Sequence, residues 1–261
     1  VANRTDFKKI EIGALIAGGG IAGSALFRYM SDAGLNPVLV NADRGSSWRN
    51  IGGGRTAFSL PELAEIAEHN HAIFKELQKI SNIDYKTTRY INLAHDESTF
   101  NALDASRAWS DAFMVDPKNF HKEISPYFST KSKRYLGALI TNDCWQATPG
   151  KVVDLIRNMG VSAGGRIVED CKVLEVMKEG STYSILVLTH DKKYVEFRTE
   201  IFVNALGAGA GKICEGLGIH AGLYPVRHQA FITRRLPMLG KNGDSLDMLI
   251  DRQEYKGFSA V

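Results

Sequence analysis

The sequence predicts an α/β protein, α+β overall, whose parallel sheet is interrupted by β-rich material. Two short apolar runs, residues 12–17 and Pro37–Val40, enclose a helical segment that reaches Ala33, and this is the order of a βαβ unit with buried parallel strands. Runs of β-branched and aromatic residues at 173–177, 183–189 and 194–197 predict a β-meander. An apolar strand at 201–206 then returns to the first pattern, so we expect discontinuous domains rather than two in tandem.

The remaining elements follow from periodicity and from helix-start signals. Pro61 begins a long helix with one apolar stripe, formed by Leu63, Ile66, Ile73, Leu77 and Ile80. Asp116 and Pro117 mark a further helix start. A helix is predicted at 150–159, and strands are predicted at 85–93, 136–141 and 227–233.

Composition bounds the class of protein. The chain has 261 residues, 44% of them hydrophobic, and a net charge of +3 from 32 basic and 29 acidic residues. This balance is ordinary for a globular protein and gives no argument for nucleic-acid or membrane binding. The three cysteines, Cys144, Cys171 and Cys214, have no paired spacing, which favours a reducing compartment or structural thiols. We expect the protein in the cytoplasm.

The strongest functional signal lies between Ala17 and Ser24. Gly18, Gly20 and Gly23 follow a predicted strand and open a predicted helix. In a Rossmann-like turn the first glycine permits the tight turn, the second lets backbone approach a pyrophosphate, and the third lets the helix pack on the strand. The helix N-terminus then presents free N–H groups to the anion. We therefore predict a nucleotide site here.

At the end of the second strand, such folds place an acid that accepts hydrogen bonds from the ribose hydroxyls. Here the strand end offers Asn41, with Asp43 two residues later. Asn41 can hydrogen-bond a ribose but carries no charge. Asp43 either reaches the ribose or caps the turn.

Two further glycine-rich segments follow buried strands. Residues 47–55 combine a serine, an asparagine and two arginines with three consecutive glycines, which suits a planar ligand lying over backbone. Gly207 and Gly209 follow the strand at 201–206 and permit close approach of a ligand. The last segment is not a P-loop, because Leu206 stands where the first glycine of that motif belongs.

No pattern indicates a metal site or a hydrolase, and we predict neither. His69 and His71 stand two residues apart on a predicted helix and point in nearly opposite directions, so they cannot chelate one ion. We interpret both as surface and groove residues. The chain has no nucleophile elbow and no His-Glu-x-x-His motif.

The three glycine-rich blocks, in this order, resemble those of the D-amino-acid oxidase, glycine oxidase and sarcosine oxidase superfamily of FAD-dependent oxidoreductases. Weaker matches are Val173 within its strand, the run 225–229 and the run 255–258. The resemblance covers essentially the whole chain. It implies an FAD-binding Rossmann-like parallel sheet with a β-meander, interleaved with a mixed-sheet substrate domain. FAD is favoured over NAD because the second and third blocks have no place in a simple nicotinamide-binding domain.

The resemblance implies that five segments contact FAD. The first would cradle the pyrophosphate, the second would meet the adenosine ribose, the third would run beside the pyrophosphate and the flavin ring, the fourth would meet the adenine, and the fifth would pass the dinucleotide. In that order the residues are Gly18, Gly20, Ile21, Ala22 and Gly23; Asn41, Ala42 and Asp43; Ser47, Arg49, Asn50, Gly52, Gly53 and Arg55; Val173; and Ala205 and Gly207. Asn41 departs from the acid that the family prefers. This departure bears on the affinity for the cofactor rather than on its identity.

The implied activity is that of an enzyme, an amine or amino-acid oxidase or dehydrogenase. It oxidises a C–N bond by hydride transfer to flavin N5. The candidates near flavin or substrate are Arg55, Arg227, His228, Gln229 and Tyr255. Each has an equally good structural interpretation, although arginine is the natural bidentate partner of a carboxylate. The alternatives are a non-catalytic flavin-binding or electron-transfer subunit of a larger dehydrogenase, and a nicotinamide-dependent dehydrogenase.

The resemblance also predicts the domain boundaries. Residues 9–85 and 146–219 are assigned to the FAD-binding domain, and residues 86–145 and 220–261 to the substrate domain. Family members continue past the position of Phe258 with further strands, a glycine-rich loop and a closing helix. We therefore expect a second polypeptide, either a separate subunit or a cleaved C-terminal fragment, to complete the fold, with a truncated chain as the alternative.

Overall fold

The structure is a computed structural model and describes residues 7–41, 45–58, 60–126, 128, 134–227 and 247–251. The strands are β1 (Lys8–Glu11), β2 (Ala14–Ala17), β3 (Pro37–Val40), β4 (Gly53–Gly54), β5 (Lys86–Ala94), β6 (Phe113–Val115), β7 (Gly137–Gln146), β8 (Arg166–Val168), β9 (Lys172–Glu179), β10 (Thr182–Leu188), β11 (Tyr194–Thr199), β12 (Phe202–Asn204) and β13 (Met248–Asp251). The α-helices are α1 (Ile21–Asp32), α2 (Pro61–Ile80), α3 (Glu97–Ala105), α4 (Phe120–Glu123), α5 (Pro149–Ser162) and α6 (Ala210–Gly216).

The chain forms two compact units, each built from separate segments. The first contains the described residues of Val1–Ile51 and Pro149–Phe231, and the second those of Gly52–Thr148 and Ile232–Val261. This division differs from the predicted boundary after residue 85, because α2 lies in the second unit, where His71 stacks on Trp145 of β7. The assignment of cofactor and substrate roles to the two units stays a prediction.

The first unit contains a four-stranded parallel sheet in the order β12-β2-β3-β8. Strands β2 and β3 are buried along their whole length, as continuous apolar runs in a parallel sheet require. The register of β3 and β8 pairs Val40 with Val168, so the residues that follow these two strands emerge side by side at the carboxyl edge.

A second sheet in this unit has the order β1-β11-β10-β9 and contains the predicted meander. Its turns use Gly180 (φ +64°) and Lys192 (φ +59°). Side chains of this sheet, among them Val176, Ile185 and Phe197, form one core with alternate residues of the parallel sheet. The predicted strand at 227–233 lies outside the described residues except for Arg227, which is exposed and in no strand.

Helix α1 covers the other face of the parallel sheet. Its buried residues, Gly23, Ser24, Phe27 and Ser31, repeat at helical spacing. Phe27 is fully buried and packs with Ile16 and Leu39. Gly34, with φ +76°, follows the helix and provides the left-handed residue that commonly ends one.

The second unit is built on a mixed sheet in the order β13-β5-β7-β4, with β6 also paired to β7. Within this sheet, β13–β5 is the one parallel pair among the described strands, and the other pairs are antiparallel. Its core includes Ile91, Ile140 and Phe120, the last contributed by α4. Asp116 caps the short helical segment before α4 by accepting from the Lys118 N–H at 2.9 Å, as the Asp-Pro signal predicted.

Helix α2 buries only part of the predicted stripe, and its buried face also contains residues outside the stripe. Leu63, Ile66 and Ile80 are exposed, whereas Ala64, Ala67, His71 and Leu77 are buried. The small alanines lie at helical spacing with His71, and they let the helix approach the sheet closely enough for His71 to stack on Trp145, with ring centroids 4.5 Å apart. His71 is therefore a buried residue that lines a cavity of about 530 Å³, so the surface part of its interpretation was wrong and the groove part fits, while His69 is exposed.

Burial gives the second unit a pH-dependent stability. His71 is only 3% exposed, and its Nε2 lies 2.6 Å from the Tyr85 hydroxyl. The pKa of His71 is lowered from 6.5, first because burial disfavours the charged ring, with Asp143 opposing this shift. Just below pH 6.5 the unfolded chain therefore binds more protons at this histidine than the folded chain does. The contribution of neutral His71 to the free energy of unfolding is complete above pH 6.5, and it is lost as the pH falls from there through the folded-state pKa.

We expect the free energy of unfolding of the wild type to fall more between pH 8 and pH 5 than that of His71→Phe, which keeps an aromatic ring on Trp145. The difference is about 1.4 kcal/mol for each unit by which the pKa is lowered. Urea unfolding at several pH values measures it. His69→Phe, on the exposed face of the same helix, should keep the wild-type profile. Equal pH profiles for wild type and His71→Phe would contradict the assignment.

No helix of the described residues is both long and apolar enough to cross a membrane.

Candidate cofactor site

The glycine-rich turn after β2 is a close-packed backbone structure. Gly18 has φ +106°, a conformation that favours glycine, and its N–H donates to the Val40 carbonyl at 2.8 Å. A Cβ at Gly18 would lie 2.2 Å from the Ala205 carbonyl oxygen. A Cβ at Gly23 would lie 1.9 Å from the Gly18 carbonyl oxygen. Only glycine fits at either position, so the turn holds α1 directly against the sheet.

The N-terminus of α1 is free of charged caps. Gly20 is its N-cap and has no side chain, and the first turn contains no acidic residue. The neighbour that a Cβ at Gly20 would meet is the Ser47 hydroxyl, at 3.1 Å. That hydroxyl accepts from the Ile21 N–H at 2.9 Å and keeps its own proton to donate. A pyrophosphate fits this cradle, because backbone N–H groups, a hydroxyl donor and the helix dipole all favour an anion.

Asn41, the residue after β3, is turned towards this turn. Its Oδ1 accepts from the Gly19 N–H at 3.1 Å, and its Nδ2 donates to Glu169 Oε2 at 2.8 Å. The side chain is buried. Ala42 and Asp43, predicted beside it, lie outside the described residues.

The other predicted cofactor residues of the first unit lie on separate elements. Ala205 follows β12, and its N–H donates to the Ala17 carbonyl at 2.8 Å. Gly207 has φ +56°, and open space surrounds the position of a Cβ there. Val173 lies on β9 in the core. Arg49 lies in the short helical turn Ser47–Arg49 and donates to the Gly45 carbonyl.

The predicted loop continues into the second unit, where Gly53 and Gly54 form β4. A Cβ at Gly53 would lie 2.0 Å from Met248 Cε, and one at Gly54 would lie 2.1 Å from the Trp145 ring. These two glycines therefore have a packing reason of their own, and the cofactor contact of the predicted loop stays a prediction. Gly52 has φ +77°, and its carbonyl accepts from the Ala147 N–H at 2.9 Å.

Arg55 lies beside a cavity of about 940 Å³ in the second unit. Its guanidinium is 4.5 Å from the Phe58 ring centroid and 5.7 Å from that of Tyr90. Among the residues that the structure describes, no carboxylate is within ion-pair distance of it. Asn92, Leu139 and Ile250 line the same cavity, which is therefore partly apolar.

The other catalytic candidates are not brought together in the described part of the chain. Arg227 is exposed in the first unit. His228, Gln229 and Tyr255 lie outside the described residues. Within the described ranges, no group of three His, Cys, Asp or Glu side chains could hold a metal ion.

Sequence reasoning missed a polar network beside Asn41. Glu169 follows β8 and forms an ion pair with Arg157 of α5, whose guanidinium lies 5.8 Å from the Trp48 ring centroid. The available signal was an acid directly after a short strand that follows a helix. The strand β8 has only three residues and was not predicted.

A family model described as DAO, FAD dependent oxidoreductase, matches residues 14–258. The chain belongs to the FAD dependent oxidoreductase family. The match includes the glycine turn, the loop at 47–55 and the segment after β12, so the predicted family and its FAD cofactor are confirmed. Members of this family are FAD-dependent oxidoreductases, as the sequence predicted.

Two curated proteins are similar in sequence to this chain. The chain is 26% identical to anaerobic glycerol-3-phosphate dehydrogenase subunit A1 of Haloferax volcanii, over 93% of this chain and 43% of that protein. It is 23% identical to 4-methylaminobutanoate oxidase (formaldehyde-forming) of Paenarthrobacter nicotinovorans, over 84% of this chain and 27% of that protein. The chain thus spans less than half the length of either relative.

Similar solved structures confirm the predicted fold class. L-Proline dehydrogenase from P. horikoshii superposes with a TM-score of 0.67 at 20% identity, covering 82% of this chain and 57% of that one. Glycine oxidase from Geobacillus kaustophilus gives 0.66 at 18% identity, covering 80% and 58%. L-α-Glycerophosphate oxidase from Mycoplasma pneumoniae, solved with FAD bound, gives 0.62 at 18% identity, covering 80% and 57%.

Proposed function

We propose that the protein oxidises the C–N bond of an amine or amino acid, with FAD held by the first unit. The observation that carries the proposal is the family match over residues 14–258 together with a glycine turn whose geometry fits a pyrophosphate. FAD, when bound, supplies an acceptor for the hydride at N5. The chain contributes binding and orientation: Gly18, Gly20 and Gly23 admit the pyrophosphate, and Ser47 offers it a hydroxyl donor.

Arg55 is proposed to bind the carboxylate of the substrate. It is a permanent cation whose planar fork matches a carboxylate, and the described residues give it aromatic neighbours rather than an acidic partner. The aromatic faces of Phe58 and Tyr90 hold the guanidinium while leaving its N–H groups to donate.

Oxidation of a C–O bond is the second candidate, because a relative matched over 93% of this chain is named a glycerol-3-phosphate dehydrogenase subunit. The same arginine suits a phosphate as well as a carboxylate. The second polypeptide and the cytoplasmic location stay predictions.

An anaerobic substrate screen tests the proposed function. The intact protein should be yellow, and its flavin absorbance should bleach with glycine, L-proline or 4-methylaminobutanoate. Bleaching by glycerol 3-phosphate alone would instead establish C–O oxidation. Bound flavin that stays oxidised with every amine and hydroxy compound would indicate a non-catalytic subunit, and a colourless protein that binds NAD would overturn the family-based proposal altogether. Air readmitted after bleaching distinguishes an oxidase from a dehydrogenase.

Replacing Arg55 with methionine should weaken the binding of the bleaching substrate by about 10- to 100-fold, the effect of losing hydrogen bonds to a charged group. Arg55→Lys should recover part of the loss. Titration of the rate of anaerobic bleaching against substrate concentration gives the measurement. Arg107→Met, at an exposed ion pair with Asp104 in the same unit, is the matched control and should bind normally. An unchanged affinity in Arg55→Met would exclude Arg55 as the substrate anchor.

A further inference from the structure

The ribose-binding position of the first unit lacks its acid. Asn41 stands where the fold places a carboxylate, and an amide is a weaker acceptor for two hydroxyls. The Asn41 amide is also engaged at both ends, by the Gly19 N–H and by Glu169. It is buried, so it has little surface left for a ligand. Another group must therefore meet the diol if the site keeps the usual chemistry.

Glu169 brings a carboxylate to this place from the neighbouring strand. The parallel pairing of β3 with β8 sets Val40 opposite Val168, so Asn41 and Glu169 are the next residues of adjacent strands. The Asn41 N–H donates to the Val168 carbonyl at 3.0 Å, which extends this register to the strand ends. The carboxyl edge of a parallel sheet is where such folds bind their ligands.

The Glu169 carboxylate is fixed but still accessible. Oε2 accepts from Asn41 Nδ2 at 2.8 Å, and Oε1 pairs with the Arg157 guanidinium. The Arg157 side chain is 8% exposed, whereas the Glu169 side chain is 50% exposed. Each carboxylate oxygen accepts more than one hydrogen bond, so both retain acceptor capacity on the exposed side. Arg157 also offsets the charge of the carboxylate, which lets an acid stand near the diphosphate of the cofactor.

We infer that Glu169 accepts hydrogen bonds from the adenosine ribose hydroxyls of FAD, and that Asn41 and Arg157 are the residues that position it. In this arrangement Asn41 does not contact the ribose. Its side chain instead connects the Gly19 N–H of the phosphate turn to the Glu169 carboxylate. The inference rests on FAD binding by the first unit, as proposed above, and concerns cofactor recognition rather than the reaction.

The test compares FAD with an analogue whose adenosine lacks the ribose 2′-hydroxyl, using quenching of flavin fluorescence to measure Kd on the intact apoprotein. Wild type should bind the analogue about 10- to 100-fold more weakly than FAD, and Glu169→Gln should weaken FAD by a similar factor. Glu169→Gln should then bind FAD and the analogue nearly equally. This loss of discrimination is the readout that a purely structural role would not give.

Three further variants make the outcome decisive. Glu169→Asp keeps the charge on a shorter chain and should retain part of the discrimination, including in the event that Glu169→Gln is too unstable to purify. Glu200→Gln, at an exposed glutamate of the same unit, should leave both affinities unchanged. If Glu169→Gln still preferred FAD over the analogue by the wild-type factor, the inference would be overturned. Loss of that preference in Asp43→Asn would then assign the ribose contact to Asp43 instead. Failure of the wild type to bind FAD at all would instead overturn the proposed function.

Discussion

Replacing Gly18 with alanine is expected to weaken FAD binding by at least about 100-fold and to lower the free energy of unfolding of the first unit by about 2–4 kcal/mol. The new Cβ would enter a residue at φ +106° and lie 2.2 Å from the Ala205 carbonyl oxygen. The Cβ is fixed by the backbone of residue 18 and the oxygen by the backbone of Ala205, so no side-chain rotation can relieve the contact. The turn must open, and the N-terminus of α1 then loses its position relative to Ser47.

Fluorescence titration with FAD and urea unfolding of the apoprotein measure the two effects. Gly216→Ala is the matched control, since it lies in helix α6 of the same unit with open space around the added Cβ. We expect it to bind FAD normally and to gain a few tenths of a kcal/mol. Full-strength FAD binding by Gly18→Ala would refute the assignment of this turn to the pyrophosphate.

Replacing Phe27 with alanine is expected to lower the free energy of unfolding by about 3–5 kcal/mol, the usual effect of deleting a buried aromatic ring. Phe27 is fully buried between α1 and the parallel sheet, against Ile16 and Leu39. The Phe27 ring also packs closely on Gly160 of α5, since a Cβ at Gly160 would lie 2.5 Å from that ring. The cavity would therefore loosen two helices from one site.

Urea unfolding again provides the measurement, and Leu26→Ala is the control. Leu26 is the preceding residue on the same helix but is 42% exposed, so its truncation should cost less than about 1 kcal/mol. FAD should bind more weakly to Phe27→Ala, because this helix carries the phosphate turn at its N-terminus. Equal destabilisation by the two substitutions would show that α1 does not pack on the sheet as described.

Elements whose signals lie within a few residues agree with the sequence-based prediction. Strand β3 matches its predicted bounds, and α2 begins at the predicted Pro61, because an apolar run and an N-terminal proline act within a few residues. The order of strand, glycine turn and helix lies where the sequence predicts it for the same reason, and the nucleotide site that it indicates stays a prediction. The glycines at 18 and 23 are needed for close packing with their surroundings, and glycine is a residue type that sequence displays directly.

Features that depend on distant segments were not predicted. Beside Leu77, the buried face of α2 holds alanines and His71 in place of Leu63, Ile66 and Ile80, because Trp145 of β7 provides the surface on which His71 packs. The partner of Asn41 depends on the pairing of β3 with a strand of three residues, too short for a periodic signal. A hydrophobic pattern favours burial of large apolar side chains over small ones, and it contains no information on which distant strand or helix an element will pack against.

The central position of β2 has a consequence for how the protein is made. Its neighbours in the sheet are β3, which follows at once, and β12, which comes near residue 203. The carbonyl that packs against Gly18 of the phosphate turn belongs to Ala205. At ordinary rates of synthesis this residue leaves the ribosome roughly 10–40 s after Gly18. Until then the nascent chain carries the apolar strand β2 without its neighbour β12, so the cofactor site is completed late in translation and cannot serve as an early folding nucleus.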